Sequence, residues 1–112
     1  MLDAVFGHDN IINLLSTFFH DNHFYLVMEY AENSDLHELI IERGTLSLEV
    51  TKAYAAQMVL ALEKLQEHNI SHRDIKPQNF VLDKNYNAKL IDFGEACVLE
   101  KPKAATKYKN IM

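Results

Sequence analysis

The side chains best suited to chemistry fall in two short runs, His72-Arg73-Asp74-Ile75-Lys76-Pro77-Gln78-Asn79 and Asp92-Phe93-Gly94. Between them the chain reads as strand, turn, strand over residues 80–83 and 88–91. Two carboxylates, an amide and a lysine spaced this way offer a proton acceptor, oxygen donors for a hard cation and a positive charge for an anion. Taken singly, the first run also fits a polar loop with a local ion pair, and the second an ordinary turn. Their order, and the hairpin that joins them, set the pair apart.

Together the two runs resemble the catalytic loop and metal-binding turn of the eukaryotic protein kinases. Phosphoryl transfer asks for positioning and charge neutralisation more than for covalent help. The resemblance therefore implies that Asp74 accepts the proton of the attacking hydroxyl and that Lys76 neutralises charge on the transferred phosphate of ATP. It implies that Asn79 and Asp92 hold Mg2+, a hard cation that takes oxygen ligands and keeps several waters. Asp-x-Lys is the pattern of the serine/threonine branch, so the implied substrate is a protein with Ser or Thr. His72 and Phe93 are implied to pack on one another as supports, with Leu2 and Leu14 continuing the apolar column. Arg73, beside the proposed base, implies an activation segment ordered by phosphate, which a guanidinium grips through paired hydrogen bonds. Thr106 is the only Ser or Thr after the metal turn and lies in the lysine-rich stretch 101–109. The implied phosphorylation site is Thr106 or a position beyond Met112.

Other elements must hold these residues. Residues 2–6 form a short apolar segment that ends at the turn Gly7-His8-Asp9-Asn10. Residues 11–19 read as strand-rich, His20-Asp21-Asn22 as a hairpin turn and residues 24–28 as a buried strand. By resemblance these are the last two strands of the small lobe, and Glu29-Tyr30-Ala31 is the hinge. The Glu29 carbonyl would then accept from the adenine amino group, the Ala31 amide would donate to a ring nitrogen, and Met28 would limit access to the back of the pocket. Ser34 and Asp35 open a helix, with Glu38 placed as in a capping box, Leu36, Leu39 and Ile40 on its apolar face, and Gly44 at its end. Asp35 also matches the family position whose carboxylate holds the ribose hydroxyls; the capping and ribose readings stand side by side. Val81 and Leu36 would line the floor under adenine. A longer helix over residues 47–68 carries the stripe Val50, Tyr54, Met58, Ala61, Leu62 and Leu65, the pattern of a helix packed on a core. In kinases such a helix supports the catalytic loop from behind.

The implied fold is α+β, a partial protein-kinase-like arrangement of the last small-lobe strands with the first helices and catalytic-loop hairpin of the large lobe. Residues 1–28 would be the end of the small lobe, 29–33 the hinge, and 34–112 the large lobe as far as the activation segment. With 112 residues and 48% hydrophobic content the chain has room for one domain at most. A net charge of −5 disfavours nucleic acid or an anionic membrane as the main partner. Cys97 is the only cysteine, so no intrachain disulfide forms, and no apolar run is long enough to span a bilayer. An intracellular, cytoplasmic location is the expectation, with the oligomeric state open. His20 and His23 stand close together, but no cysteine or further histidine nearby completes a zinc site. The three glycines, at 7, 44 and 94, form no G-x-G-x-x-G, and no Ala-Pro-Glu follows the metal turn. We therefore expect a fragment of a serine/threonine kinase, inactive alone; the alternative is a non-catalytic, pseudokinase-like interaction module. Residues 54–68 and the hinge resemble the cyclic-nucleotide-dependent and phosphoinositide-dependent kinases without fixing a subfamily.

Overall fold

A computed structural model describes residues 5–99. Strands β1 (Leu14–His20) and β2 (His23–Met28) form an antiparallel hairpin whose two turn residues, Asp21 and Asn22, have φ of 51° and 63°. Positive φ at both central positions is the geometry that matches a two-residue loop to the twist of its strands, and Asp and Asn tolerate it better than most residues. Helix α1 (Leu36–Arg43) begins where the Asp35 carboxylate accepts from the Glu38 amide at 2.9 Å. It ends where the Gly44 amide donates to the Ile40 carbonyl, with φ of 80° at the glycine. Helix α2 (Leu48–Glu67) is capped by the Ser47 hydroxyl, which accepts from the Val50 amide. After α2 come β3 (Ile70–Ser71), a single 3-10 turn (Pro77–Asn79), β4 (Phe80–Leu82), β5 (Ala88–Leu90) and β6 (Cys97–Val98).

The core lies between α1, α2 and the β4–β5 hairpin. Phe80, Leu82, Ala88 and Leu90 are fully buried, and Ala61 and Leu65 of α2 pack in the same cluster with Leu36 and Leu39 of α1. Burying each large side chain contributes about 1.5–3 kcal/mol before the entropy of ordering the chain is counted. The backbone of the hairpin is held along both edges. On the β5 side the Leu90 amide donates to the Asn10 carbonyl, the Ile12 amide to the Leu90 carbonyl, and the buried Asn10 side chain to the Ala88 carbonyl. On the β4 side the Leu82 amide donates to the Ser34 carbonyl and the Asn33 amide to the Leu82 carbonyl. From α2, Gln57 accepts from the Ala88 amide and Tyr54 donates its hydroxyl to the Tyr86 carbonyl. Burial pushes the Tyr54 phenol pKa up, since the ionised form would lose water. The segment between the two chemical runs is thereby fixed in register.

Two expectations need correction. Residues 24–28 are not buried: every residue of β2 is exposed, because β1 and β2 pair only with each other and no other described element covers either face. Val50 is also 40% exposed; the buried stripe of α2 begins one turn later at Tyr54, where the helix first meets the β4–β5 turn.

Alternation along the hairpin puts Phe19, Phe24 and Leu26 on one face and Phe18, Tyr25 and Val27 on the other. Phe18 and Tyr25 stack at 4.8 Å, yet Phe19 and Phe24 remain 68% and 66% exposed. Apolar surface on two faces of a two-stranded ribbon is an association hazard. The isolated 112-residue chain is therefore expected to bind a hydrophobic dye and to self-associate at micromolar concentration. A monomer that unfolds cooperatively on heating and shows dispersed amide resonances would contradict this.

Candidate active site

The first run forms the loop after β3 and the 3-10 turn that closes it, and buried His72 organises the loop. The Asp74 amide donates to His72 Nδ1 at 3.1 Å, so Nε2 carries the proton and donates to the Ile91 carbonyl at 2.8 Å. One imidazole thus joins the first run to the residue just before Asp92. Its ring also meets Phe93 edge-on at 5.0 Å, as expected for a supporting residue. Phe6 packs on the other side of that contact, 5.6 Å from Phe93. Leu14, expected in this column, is not among the side chains packed on the core, and Leu2 lies outside the described residues.

Asn79 is buried, and its Nδ2 donates both to the Asp74 carbonyl at 2.8 Å and to Asp74 Oδ2 at 3.1 Å. With the amide nitrogen spent on Asp74, Oδ1 is the atom left to offer a cation. The Lys76 ammonium lies 3.6 Å from Asp74 Oδ1, with both side chains partly exposed. Such a pair adds little stability but holds positive charge beside the carboxylate. The Ile91 amide donates to the Asn79 carbonyl at 2.9 Å, which brings Asp92 next to the loop that carries Asn79. Asp92 has φ of 62°, and its Oδ1 accepts from the Gly94 amide at 3.3 Å. A Cβ on Gly94 would itself sit 3.3 Å from that oxygen, so the turn has little room for a larger residue. Among the described residues no three His, Cys, Asp or Glu side chains converge as a metal cluster. Asn79 Oδ1 and the Asp92 carboxylate are oxygen donors, the ligand type that suits Mg2+.

Arg73 has φ of 67°, and its Nε donates to the Glu95 carbonyl at 2.7 Å. The guanidinium therefore reaches the chain just after the Asp-Phe-Gly turn. Thr106 lies outside the described residues.

At the expected hinge, the Glu29 amide donates to the Asn13 carbonyl, while the Glu29 carboxylate accepts from the Asn13 amide and from Lys89. Ala31 is half-buried. The Asp35 carboxylate serves as the cap of α1, and its backbone bridges to Val81 in β4. Leu36, expected beside Val81, is buried and lines a cavity of about 410 Å3 with Ile40, Leu46, Tyr54, Met58 and Pro77. No charged side chain faces that cavity, so nothing in it would hold a phosphate. Sequence reasoning passed over Phe6, Asn10 and Lys89. Lys89 was the detectable one: it is the polar residue between buried Ala88 and Leu90, and it lies three positions before Asp92.

Comparison with known proteins agrees with this arrangement. The protein kinase domain family matches residues 1–111. The chain is 44% identical over 96 residues to the 3-phosphoinositide-dependent protein kinase B of Dictyostelium discoideum, an alignment covering 86% of this chain and 10% of that protein. It is 40% identical over 102 residues to the serine/threonine-protein kinase PKH1 of Saccharomyces cerevisiae, covering 90% of this chain and 13% of that protein. It is 36% identical over 94 residues to the CBL-interacting protein kinase 15 of Oryza sativa, covering 84% and 22%. The chain belongs to the protein kinase family and carries part of the catalytic domain in an α+β arrangement. It spans between a tenth and a quarter of these relatives. No helix among the described residues is long and apolar enough to cross a membrane.

Proposed function

We propose that the domain to which this chain contributes transfers the γ-phosphate of ATP, as its magnesium complex, to Ser or Thr hydroxyls of protein substrates. The observation that carries this reading is the fixed grouping of Asp74, Lys76 and Asn79, with the backbone bond from Ile91 bringing Asp92 alongside. In it Asp74 accepts the hydroxyl proton and Lys76 balances the charge of the moving phosphoryl group. Asn79 Oδ1 and the Asp92 carboxylate hold the cation that ATP brings. The Glu29 carbonyl and Ala31 amide hold adenine, Val81 lies beneath it, and Asp35 keeps one carboxylate oxygen for the ribose while the other caps α1. Arg73 grips a phosphate placed on the activation segment, at Thr106 or beyond it, in place of or beside the Glu95 carbonyl.

The 112 residues hold no glycine-rich loop to cover the phosphates. Alone they are expected to bind ATP weakly and to give negligible phosphotransfer, since half of the positioning is missing. The test assays transfer from radiolabelled ATP to a Ser/Thr peptide library, first by the isolated chain and then by a kinase domain completed around it. Transfer by the completed domain, lost on Asp74→Asn, is the expected result. A completed domain that binds Mg·ATP and transfers nothing would leave it a binding module, and turnover by the isolated chain would refute the first expectation.

A further inference from the structure

The chain reaches Asp35 through a strained residue. Ser34 is neither glycine nor asparagine and is exposed, yet its φ is 65°, in the left-handed region. A side chain there costs energy, and the conformation persists only where the surroundings over-determine it. For Ser34 those surroundings are the edge of β4. The Asn33 amide donates to the Leu82 carbonyl at 3.0 Å, and the Leu82 amide donates to the Ser34 carbonyl at 2.7 Å. One side chain adds to these backbone bonds: half-buried Asn33 donates through Nδ2 to the Asp83 carbonyl at 2.8 Å, across 50 positions of sequence. That acceptor is itself well held, since Asp83 Oδ1 accepts from the Asn85 and Asn87 amides in the β4–β5 turn. Asp35 follows directly, its Oδ1 given to the Glu38 amide and its backbone bridged to Val81.

We propose that Asn33 is a positioning residue for the nucleotide that acts through Asp35. Its bond to the Asp83 carbonyl holds Ser34 in the left-handed region, and this sets the direction in which Asp35 offers its second carboxylate oxygen to the ribose hydroxyls. The proposal rests on the reading of Asp35 as the ribose ligand. Asn33 itself touches neither nucleotide nor reacting atoms. The argument runs through the backbone: a change of φ at residue 34 re-aims the side chain of residue 35, and the cap of α1 tethers only one of its two oxygens. Without the Asn33 side chain, Ser34 is freer to relax to an ordinary negative φ and to carry Asp35 away from its bridge with Val81. A hydrogen bond weakens steeply as it is misaligned, and one to a carboxylate is worth more than a neutral one, so a small re-aiming is felt in ribose affinity. Supporting side chains of this kind hold a binding group in its productive geometry without meeting the ligand.

The experiment uses a kinase domain completed around this chain and compares wild type, Asn33→Ala and the double variant Asn33→Ala with Ser34→Gly. Dissociation constants for ATP and for 2′,3′-dideoxy-ATP, each with Mg2+, are measured by isothermal titration calorimetry. Wild type is expected to bind ATP about tenfold more tightly than the dideoxy analogue, the scale of a hydrogen bond to a charged group. In Asn33→Ala that preference should shrink to about threefold or less, while the affinity for dideoxy-ATP stays within about twofold. Glycine adopts positive φ without outside support, so the double variant should recover much of the preference for ATP. A purely structural role would weaken both nucleotides alike. Equal weakening of the two nucleotides by Asn33→Ala, an undiminished preference, or a preference that glycine at 34 does not recover would overturn the positioning role. A wild-type domain that binds the two nucleotides equally would instead remove Asp35 from the ribose, and the proposal would fall with it.

Discussion

Asp74→Asn, made in a kinase domain completed around this chain, is expected to lower turnover by about two to four orders of magnitude, the range that a well-placed general base supplies. The substitution keeps the size of the side chain. It also leaves in place the bond from Asn79 Nδ2 to the carbonyl of residue 74, which is the shorter of the two at 2.8 Å, and the bond from the amide of residue 74 to His72 Nδ1. The loop should therefore keep its form. What is lost is a group that can take a proton from the attacking hydroxyl, together with the negative partner of Lys76. A loss confined to the chemical step appears as a fall in kcat with the KM for ATP changed little. If turnover instead falls by less than tenfold, or only the KM for peptide rises, Asp74 is not the base.

Asp92→Asn is expected to have an effect of similar size by a different route. An amide oxygen is a poor substitute for a carboxylate in holding Mg2+, so transfer should fall by orders of magnitude and the Mg2+ concentration for half-maximal activity should rise. Nucleotide affinity should survive in large part, since adenine is held at the proposed hinge. Asparagine also tolerates positive φ, and its side-chain oxygen can still accept from the Gly94 amide, so the turn should persist. Near-normal turnover with an unchanged Mg2+ dependence would remove Asp92 from the metal site. The two variants separate cleanly, because only the second should respond to added metal.

Much of the arrangement was legible because it depends on local rules. Asp35, Gly44 and Ser47 mark the helix ends through the hydrogen bonds their own types make, and the structure places caps at those residues. Asp21-Asn22 likewise marks a tight hairpin. The grouping around Asp74 followed from motif order, since a short hairpin must return the chain to the loop it left. Burial was less legible, since it depends on what lies opposite. Phe24, Leu26 and Met28 read as core because they are apolar, yet nothing described packs on them; Val50 fits the helical stripe but precedes the first contact of α2. The contacts of Phe6 with Phe93, Asn10 with Ala88 and Lys89 with Glu29 join positions about 60 to 90 residues apart, and no local pattern records such pairings.

The positive φ angles at Arg73 and Asp92 bear on how this protein can change over evolutionary time. Neither residue is a glycine, and a side chain in that region costs on the order of 1 kcal/mol, more for arginine than for aspartate. Glycine at either position would relax the backbone and, if the loop kept its shape, offset part of its own flexibility in the unfolded chain. The proposed phosphate grip or metal ligand would vanish with the side chain. Selection for stability alone would therefore push these two positions away from the residues they hold. On the proposed roles these are places where the molecule gives up robustness for chemistry, and a lineage released from catalytic demand would be free to drift toward a steadier, inert loop.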